Sequence, residues 1–211
     1  QTYTEYEDIV KTYDDIAQGN IVDPALVLEW NTWRAFTMLD DGKIVGNFRF
    51  DLQGMPLFNA PGNKPDIECE YKKYIIIVEV TLSSGQKQYE MEGEPVARHL
   101  GMHQREKNKE TYCIFLTKKL SQATLAHFYS LHKIDIAFYG GKAKIIPVEI
   151  EVFQKLLKTA YQSKTKPTSE DIYKFVSEAT SLVSNTSNEL EWYQHINALA
   201  DNWYEVQRPT N

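Results

Sequence analysis

Residues 65–81 read PDIECEYKKYIIIVEVT and carry the clearest strand pattern in the chain. Acidic and apolar residues alternate over residues 66–71, which predicts a strand with one acidic and one apolar face. Residues 74–80 are almost continuously apolar, as in a strand that is covered on both faces. Because Lys72 and Lys73 fall between the two segments, we predict that the segments form a tight antiparallel hairpin.

This hairpin would place two carboxylates directly opposite each other. Around a turn centred between Lys72 and Lys73, paired residues have numbers that sum to 145, and Asp66 and Glu79 meet that condition. Their Cβ atoms would lie about 5 Å apart. Carboxylates this close repel unless a cation separates them, and a hard divalent ion suits oxygen ligands. The alternative, a pair of solvated acids, suits Asp66 better than Glu79, since a charge within an apolar strand is costly.

Two further glutamates are candidates for the same site. Glu29 shares a helix face with Leu26 and Trp33, so its carboxylate should point toward the core and needs a partner there. Glu92 follows Glu79 by thirteen residues, but it lies in an acidic run that is typical of a solvated surface. Taken one residue at a time, a position at the edge of the apolar helix face is slightly favoured for Glu29, and a solvated surface position is favoured for Glu92.

Histidines and basic residues follow Glu92. His99 and His103 have the i, i+4 spacing of a zinc pair, but the residues between them lack the glutamate of a zinc protease. From Arg98 to Lys119, six Lys/Arg residues stand against two acids, a net charge of +4. This stretch could follow a phosphate backbone or form a solvated surface, and the neighbouring acids favour the first. The candidate phosphate ligands are Arg98, His99, Arg105, Lys107, Lys118 and Lys119.

The remaining segments predict helices around a sheet. Apolar spacing predicts two helices before residue 40 and two strongly amphipathic helices after residue 162. A helix should open on a capping box of Ser83 and Gln86 and break at Pro95. Residues 51–65, rich in glycine and proline, should be irregular. Further strands are predicted over residues 112–116, 134–139 and 144–146. The order indicates an α/β fold with a mixed central sheet flanked by helices.

Composition excludes several classes of protein. The chain has 211 residues, 42% hydrophobic and 25% charged, which is typical of a globular domain and not of a collagen or a disordered chain. Two cysteines cannot form a disulfide framework. Without an apolar run of membrane length or a signal peptide, we expect a soluble, cytoplasmic protein with no membrane partner. The net charge of −6 argues against nucleic acid as a partner, unless the acids are clustered in a metal site.

Pro65-Asp66 followed by Glu79-Val80-Thr81 resembles the core of the PD-(D/E)xK nucleases, in which two acids on neighbouring strands hold magnesium beside the phosphate that is cut. The Glu-Val-Thr form is similar to the AlwI, PleI and MlyI group of type IIS restriction enzymes and to the cleavage domain of the nicking endonuclease BstNBI. Three segments fall where that group has its motifs: residues 28–30, 66–68 and 88–93.

The resemblance implies a set of site residues and a cofactor. It makes Glu29, Asp66, Glu79 and Glu92 the catalytic residues. It makes Asp66, Glu79 and the carbonyl oxygen of Val80 the ligands of Mg²⁺, for which Mn²⁺ can substitute. The implied activity is Mg²⁺-dependent hydrolysis of double-stranded DNA by a type II site-specific endonuclease, nicking or double-strand, that leaves 5′-phosphate and 3′-hydroxyl ends.

The resemblance also implies an organisation and partners. A restriction-endonuclease-like core would span residues 1–161, and a C-terminal helical extension over residues 162–211 would pack on it. Because the chain opens on Gln1 and not on methionine, we expect an N-terminal DNA-recognition domain outside it. A second cleavage subunit is a candidate partner for cutting the other strand.

One residue departs from the superfamily pattern, and two other functions stay open. Thr81 stands where the superfamily has lysine, and its hydroxyl cannot take a proton at neutral pH. Glu92 acting with a second metal ion is the preferred substitute, ahead of Lys87. The alternatives are a non-catalytic DNA-binding or dimerisation subunit of a restriction system, and a repair nuclease of the same superfamily.

Overall fold

A mixed sheet runs through the centre of the protein. The computed structural model describes residues 5–39, 42–163 and 166–204. The strands within these ranges are β1 (Lys43–Gly46), β2 (Arg49–Phe50), β3 (Pro56–Phe58), β4 (Ile67–Glu70), β5 (Tyr74–Thr81), β6 (Glu110–Thr117) and β7 (Ile145–Glu149). The described part of the central sheet has the order β1-β4-β5-β6-β7, antiparallel from β1 to β5 and parallel from β5 to β7. β2 and β3 form a separate antiparallel hairpin.

Helices cover both faces of this sheet. In chain order they are α1 (Tyr6–Gln18), α2 (Pro24–Leu39), α3 (Gly85–Lys107), α4 (Gln122–Lys133), α5 (Ile150–Ser163), α6 (Ser169–Ser181) and α7 (Glu189–Asn202). Ile75 and Ile77 of β5 pack toward α3 and α4, whereas Ile76 and Val78 pack toward α1, α2, α5, α6 and α7. The apolar run of β5 is therefore buried on both faces, and the predicted α/β fold is confirmed.

The register of β4 and β5 confirms the predicted hairpin. Ile67 pairs with Val78 and Glu70 pairs with Ile75, so paired numbers sum to 145. The same register sets Asp66, the residue before β4, across from Glu79. The parallel strand β6 then borders β5 along its whole length and completes the buried centre of the sheet.

The predicted break in the helix after β5 is wrong. α3 runs without interruption from Gly85 to Lys107 and contains Pro95 in its interior. A proline there costs roughly 3 kcal/mol, but Val96 and Leu100 lie buried against the sheet just beyond it. Burying two such side chains contributes roughly 1.5–3 kcal/mol each, which outweighs the loss. The predicted capping box is also wrong, since Ser84 is the N-cap and its side chain makes no capping hydrogen bond.

Two other local predictions are corrected by tertiary contacts. Residues 134–139 form no strand in the described structure, because Gly140 and Gly141 adopt positive φ and turn the chain back after a short 3-10 turn. Residues 51–65, expected to be irregular, contain β3. The β2–β3 hairpin is held on α2, where the Trp30 indole N–H donates to the Gly54 carbonyl oxygen at 3.0 Å.

The helices α6 and α7 share one hydrophobic core with α5 and the sheet. The Trp192 indole of α7 is fully buried and donates to the Ala179 carbonyl oxygen of α6 at 2.9 Å. Trp203 donates to the Leu156 carbonyl oxygen of α5 at 3.1 Å. Residues 205–211 lie outside the described residues, and the division at residue 161 stays a prediction. Of the helices that the structure describes, none has the length and apolar character needed to cross a membrane.

Candidate active site

Asp66 and Glu79 meet where β4 begins and β5 ends. Oδ2 of Asp66 accepts a hydrogen bond from the Val80 backbone N–H at 2.8 Å, which fixes this carboxylate across the hairpin. Glu79 is 8% exposed although it belongs to a strand of isoleucine and valine. The two acids that the hairpin register predicted as neighbours therefore lie on the same structural element and are held there by the strand ladder.

Glu29 reaches the site region from α2 and is 7% exposed. Its Oε2 accepts from the Ala60 backbone N–H at 3.0 Å, and its Oε1 accepts from the Asn59 side-chain amide. The partner that a core-facing carboxylate requires is therefore an amide pair from the segment after β3. No local sequence signal points to Asn59, because it lies thirty residues from Glu29 in a segment that looks irregular.

Thr81 connects Glu92 to the end of β5. The Thr81 hydroxyl donates to Oε1 of Glu92 at 2.7 Å and accepts from the Ser83 backbone N–H at 3.1 Å. This bond gives Glu92 a contact that separates it from the exposed acids Glu90 and Glu94 on the same helix. Thr81 thus acts as an anchor for the Glu92 carboxylate.

His99 and His103 each contact a different glutamate. Nδ1 of His99 lies 2.8 Å from Oε1 of Glu79, and Nε2 of His103 contacts Oε2 of Glu68. The i, i+4 spacing therefore places the two imidazoles over two neighbouring strands, each with its own carboxylate partner. His99, considered from the sequence as a phosphate ligand, contacts Glu79. Glu79 is one of four acids, Glu29, Asp66, Glu79 and Glu92, that we call the acid cluster.

Burial and mutual repulsion disfavour negative charge in this cluster. Burial is the largest effect that raises the pKa of Asp66 well above its usual range, and the negative charges of Glu79 and Glu29 raise it further. Burial also raises the pKa of Glu79, with Glu92 and Glu29 adding to the shift and Arg98 opposing it. A cation would relieve this repulsion and favour the ionised form of the carboxylates.

Binding of a metal ion by the predicted ligands stays a prediction. Among the described residues, no group of three or more His, Cys, Asp and Glu side chains is arranged to hold a metal ion. The predicted set does not need such a group, because it combines the carboxylates of Asp66 and Glu79 with the backbone carbonyl of Val80. All of these donors are oxygen atoms, which Mg²⁺ and Mn²⁺ prefer.

Several of the candidate phosphate ligands contact other parts of the chain. Arg98 pairs with Glu94 at 3.3 Å, and Lys107 pairs with Glu68 at 3.2 Å. Arg105 donates to the Phe138 carbonyl oxygen at 2.7 Å and Lys118 to the Ala17 carbonyl oxygen at 2.6 Å. Lys119 is exposed, and its ammonium has no partner among the described residues. Phosphate binding by this stretch stays a prediction.

Comparison with known proteins identifies the family. The model of the AlwI restriction endonuclease family matches residues 6–156, a segment that contains Glu29, Asp66, Glu79 and Glu92. This chain belongs to the AlwI restriction endonuclease family. Its structure is similar to the crystal structure of the small subunit (R.BspD6I2) of the heterodimeric restriction endonuclease R.BspD6I. The TM-score is 0.79 at 27% identity, over 91% of this chain and 98% of that chain. No curated protein matches. The predicted restriction-endonuclease fold is thereby confirmed.

Proposed function

We propose that this restriction-system, nuclease-like protein is a Mg²⁺-dependent endonuclease that hydrolyses phosphodiester bonds of double-stranded DNA. The observation that carries the proposal is the convergence of Asp66 and Glu79 at one end of a hairpin, with Glu92 tied to the same strand through Thr81. Such a set of acids is costly without a function, because its members repel one another in a poorly solvated place.

Asp66, Glu79 and the Val80 carbonyl are the groups that would hold the ion. A bound Mg²⁺ would polarise the phosphate and lower the pKa of a water molecule. The Val80 N–H orients the Asp66 carboxylate, and His99 does the same for Glu79. These contacts leave the second carboxylate oxygen of each residue for the cofactor.

Glu92 is our candidate for the group that accepts a proton. Its Oε1 is engaged by Thr81, which leaves Oε2 to receive the proton of an attacking water, and burial raises its pKa, which makes the carboxylate a stronger base. The water oxygen forms a bond to phosphorus as the bond to the 3′ oxygen breaks, and that oxygen takes up a proton. The products are a 5′-phosphate and a 3′-hydroxyl.

We also propose that this chain acts together with a partner subunit. The structural relative is named as the small subunit of a heterodimeric restriction endonuclease. A type IIS arrangement, in which sequence recognition and cleavage reside in separate parts, would place the recognition of DNA bases outside this chain. This chain would then cut one of the two DNA strands, and the partner subunit would cut the other.

The test is loss of supercoiled plasmid in the presence of MgCl₂, measured for the parent, Asp66→Asn and Glu79→Gln. Each variant keeps the shape of the side chain and should slow nicking by roughly 100-fold or more, about 2.7 kcal/mol of transition-state stabilisation. Glu90→Gln is the matched control, because Glu90 is an exposed acid on α3. It should cut at the parent rate.

Two results would contradict the proposal. Nicking by Asp66→Asn or Glu79→Gln within about tenfold of the parent rate would remove these acids from the catalytic set, since a lost metal ligand costs more than that. A parent that binds DNA but never cuts it, with Mg²⁺ or Mn²⁺, would instead favour the non-catalytic subunit.

A further inference from the structure

A pocket lies between the β2–β3 hairpin and the segment that leads into β4. Its volume is about 470 Å³, and it is lined by Asn47, Arg49, Phe58, Asn59, Pro61 and Lys64. The basic stretch noted in the sequence, Arg98–Lys119, contributes no residue to this lining.

Two residues that line this pocket, Asn59 and Asn47, are hydrogen-bonded to residues at the acid cluster. The Asn59 side-chain amide donates to the Glu29 carboxylate. The Asn47 backbone N–H donates to the Asp66 carbonyl oxygen at 2.8 Å, and its side-chain amide donates to the Pro65 carbonyl oxygen at 2.7 Å. The pocket therefore adjoins the candidate active site, because Asn59 contacts the Glu29 carboxylate and Asn47 contacts the backbone of Asp66.

The hairpin that forms the outer wall is fixed to α2, the helix that carries Glu29. Trp30 holds the turn of the hairpin through the Gly54 carbonyl oxygen. The Trp33 ring stacks on Phe50 with centroids 6.3 Å apart and meets Phe48 edge to face at 5.7 Å. The pocket and the acids thus belong to one packed unit, which gives the pocket a defined position relative to the site.

The positive charge of the pocket suits an anionic ligand. Arg49 and Lys64 are exposed, and within the described part of the chain neither side chain has a hydrogen-bond or ion-pair partner. This distinguishes them from Arg105 and Lys107, which are bound to groups of the chain itself. Cationic side chains that line one pocket can neutralise neighbouring phosphates of a nucleic-acid strand.

We propose that this pocket binds the phosphodiester backbone of duplex DNA, within a few nucleotides of the phosphate that is cut. Arg49 and Lys64 contact phosphates, and Phe58, which pairs with Arg49 across the hairpin and is 64% exposed, faces the deoxyribose. The inference rests on the proposed nuclease function, because it names the surface that aligns the substrate strand with the acids.

The test compares DNA binding by two double variants. The affinity for a labelled duplex of roughly two helical turns is measured by fluorescence anisotropy in calcium chloride, over a series of KCl concentrations. Arg49→Gln/Lys64→Gln should weaken binding on the order of tenfold, and the slope of log affinity against log salt should fall by about two, since each phosphate contact contributes about 0.9. Lys72→Gln/Lys73→Gln removes the same charge at the far end of the β4–β5 hairpin and should change neither quantity.

A charge-conserving variant separates the role of charge from that of folding. Arg49→Lys/Lys64→Arg should restore the parental slope, and all variants should melt at the parental temperature because both residues are exposed. A slope that Arg49→Gln/Lys64→Gln leaves unchanged would overturn the proposal. So would an equal loss in the control pair, or a parent whose affinity does not depend on salt.

Nicking by the parent and by Glu79→Gln is measured alongside, so that the two claims fail separately. If Glu79→Gln abolishes nicking while Arg49→Gln/Lys64→Gln binds like the parent, the pocket is not the DNA-backbone site and the nuclease proposal stands. If Arg49→Gln/Lys64→Gln lowers both the affinity and the slope of log affinity against log salt while the parent never nicks, the pocket binds the DNA backbone but the nuclease proposal is wrong.

Discussion

At the scale of single residues, the acids of the cluster are held by backbone and side-chain hydrogen bonds, and Glu79 is held by its contact with His99. Asp66 accepts from a backbone N–H, Glu29 from an amide side chain and a backbone N–H, and Glu92 from a hydroxyl. Hydrogen bonds to charged groups contribute roughly 1.5–3 kcal/mol each, which offsets part of the repulsion between the carboxylates. The remaining repulsion is what a bound cation would relieve.

Thr81→Val tests the link between Thr81 and Glu92. Valine keeps the volume and removes the hydroxyl, so Oε1 of Glu92 loses its donor and the carboxylate is no longer fixed. We expect the nicking rate to fall on the order of tenfold, the value of one hydrogen bond of about 1.4 kcal/mol. Thr81→Ser keeps the hydroxyl and should cut at the parent rate. Equal rates for the valine and serine variants would show that this bond does not serve catalysis.

At the scale of elements, the features that the sequence predicted well are those formed by residues close together along the chain. The β4–β5 hairpin has a short turn and a period-two pattern, so the opposition of Asp66 and Glu79 follows from counting residues. The contacts of Glu29 with Asn59 and of His99 with Glu79 join residues that are thirty and twenty positions apart. They depend on how helices and hairpins dock on the sheet, which neither propensity nor periodicity encodes.

The continuous helix α3 offers a test of that docking. Gly101 lies against the backbone of the 3-10 turn at Tyr139, and a Cβ atom at position 101 would come within 2.5 Å of the Tyr139 carbonyl oxygen. Gly101→Ala should therefore destabilise the protein by about 1–3 kcal/mol, although the same change in an exposed helix stabilises by up to about 1 kcal/mol.

The measurement for Gly101→Ala is the free energy of unfolding in urea. Gly62→Ala is the control, because a Cβ at position 62 meets no atom within 4 Å. Its free energy of unfolding should stay close to that of the parent. A Gly101→Ala variant that is as stable as the parent would mean that α3 and the turn are not packed this closely.

At the scale of the whole molecule, His132 joins three parts of the fold. It lies on α4, contacts the Ile145 carbonyl oxygen of β7 through Nε2 at 2.7 Å, and meets the Trp192 ring of α7 edge to face at 5.0 Å. Burial is the main cause that lowers its pKa to about 4. No sequence signal points to this contact, because the three elements are distant along the chain.

The pKa of His132 predicts how stability depends on pH. The unfolded chain binds a proton at this histidine below about pH 6.5, whereas the folded protein does so only below about pH 4. Stability is therefore lost as the pH falls from 6.5 to 4, by up to about 3 kcal/mol from this residue. His132→Gln keeps a donor for Ile145 and does not titrate. In urea unfolding at several pH values, its stability should fall less steeply, and a profile parallel to that of the parent would contradict the assignment.

The central claim is that the buried acids form the site of a divalent cation, and anomalous scattering from a crystal soaked in MnCl₂ tests it most directly. The account predicts a peak about 2.0–2.3 Å from carboxylate oxygens of Asp66 and Glu79, the distances usual for hard cations, with the Val80 carbonyl among the ligands. A peak held by His99 and His103, or no peak at Asp66 and Glu79 at saturating Mn²⁺, would contradict it.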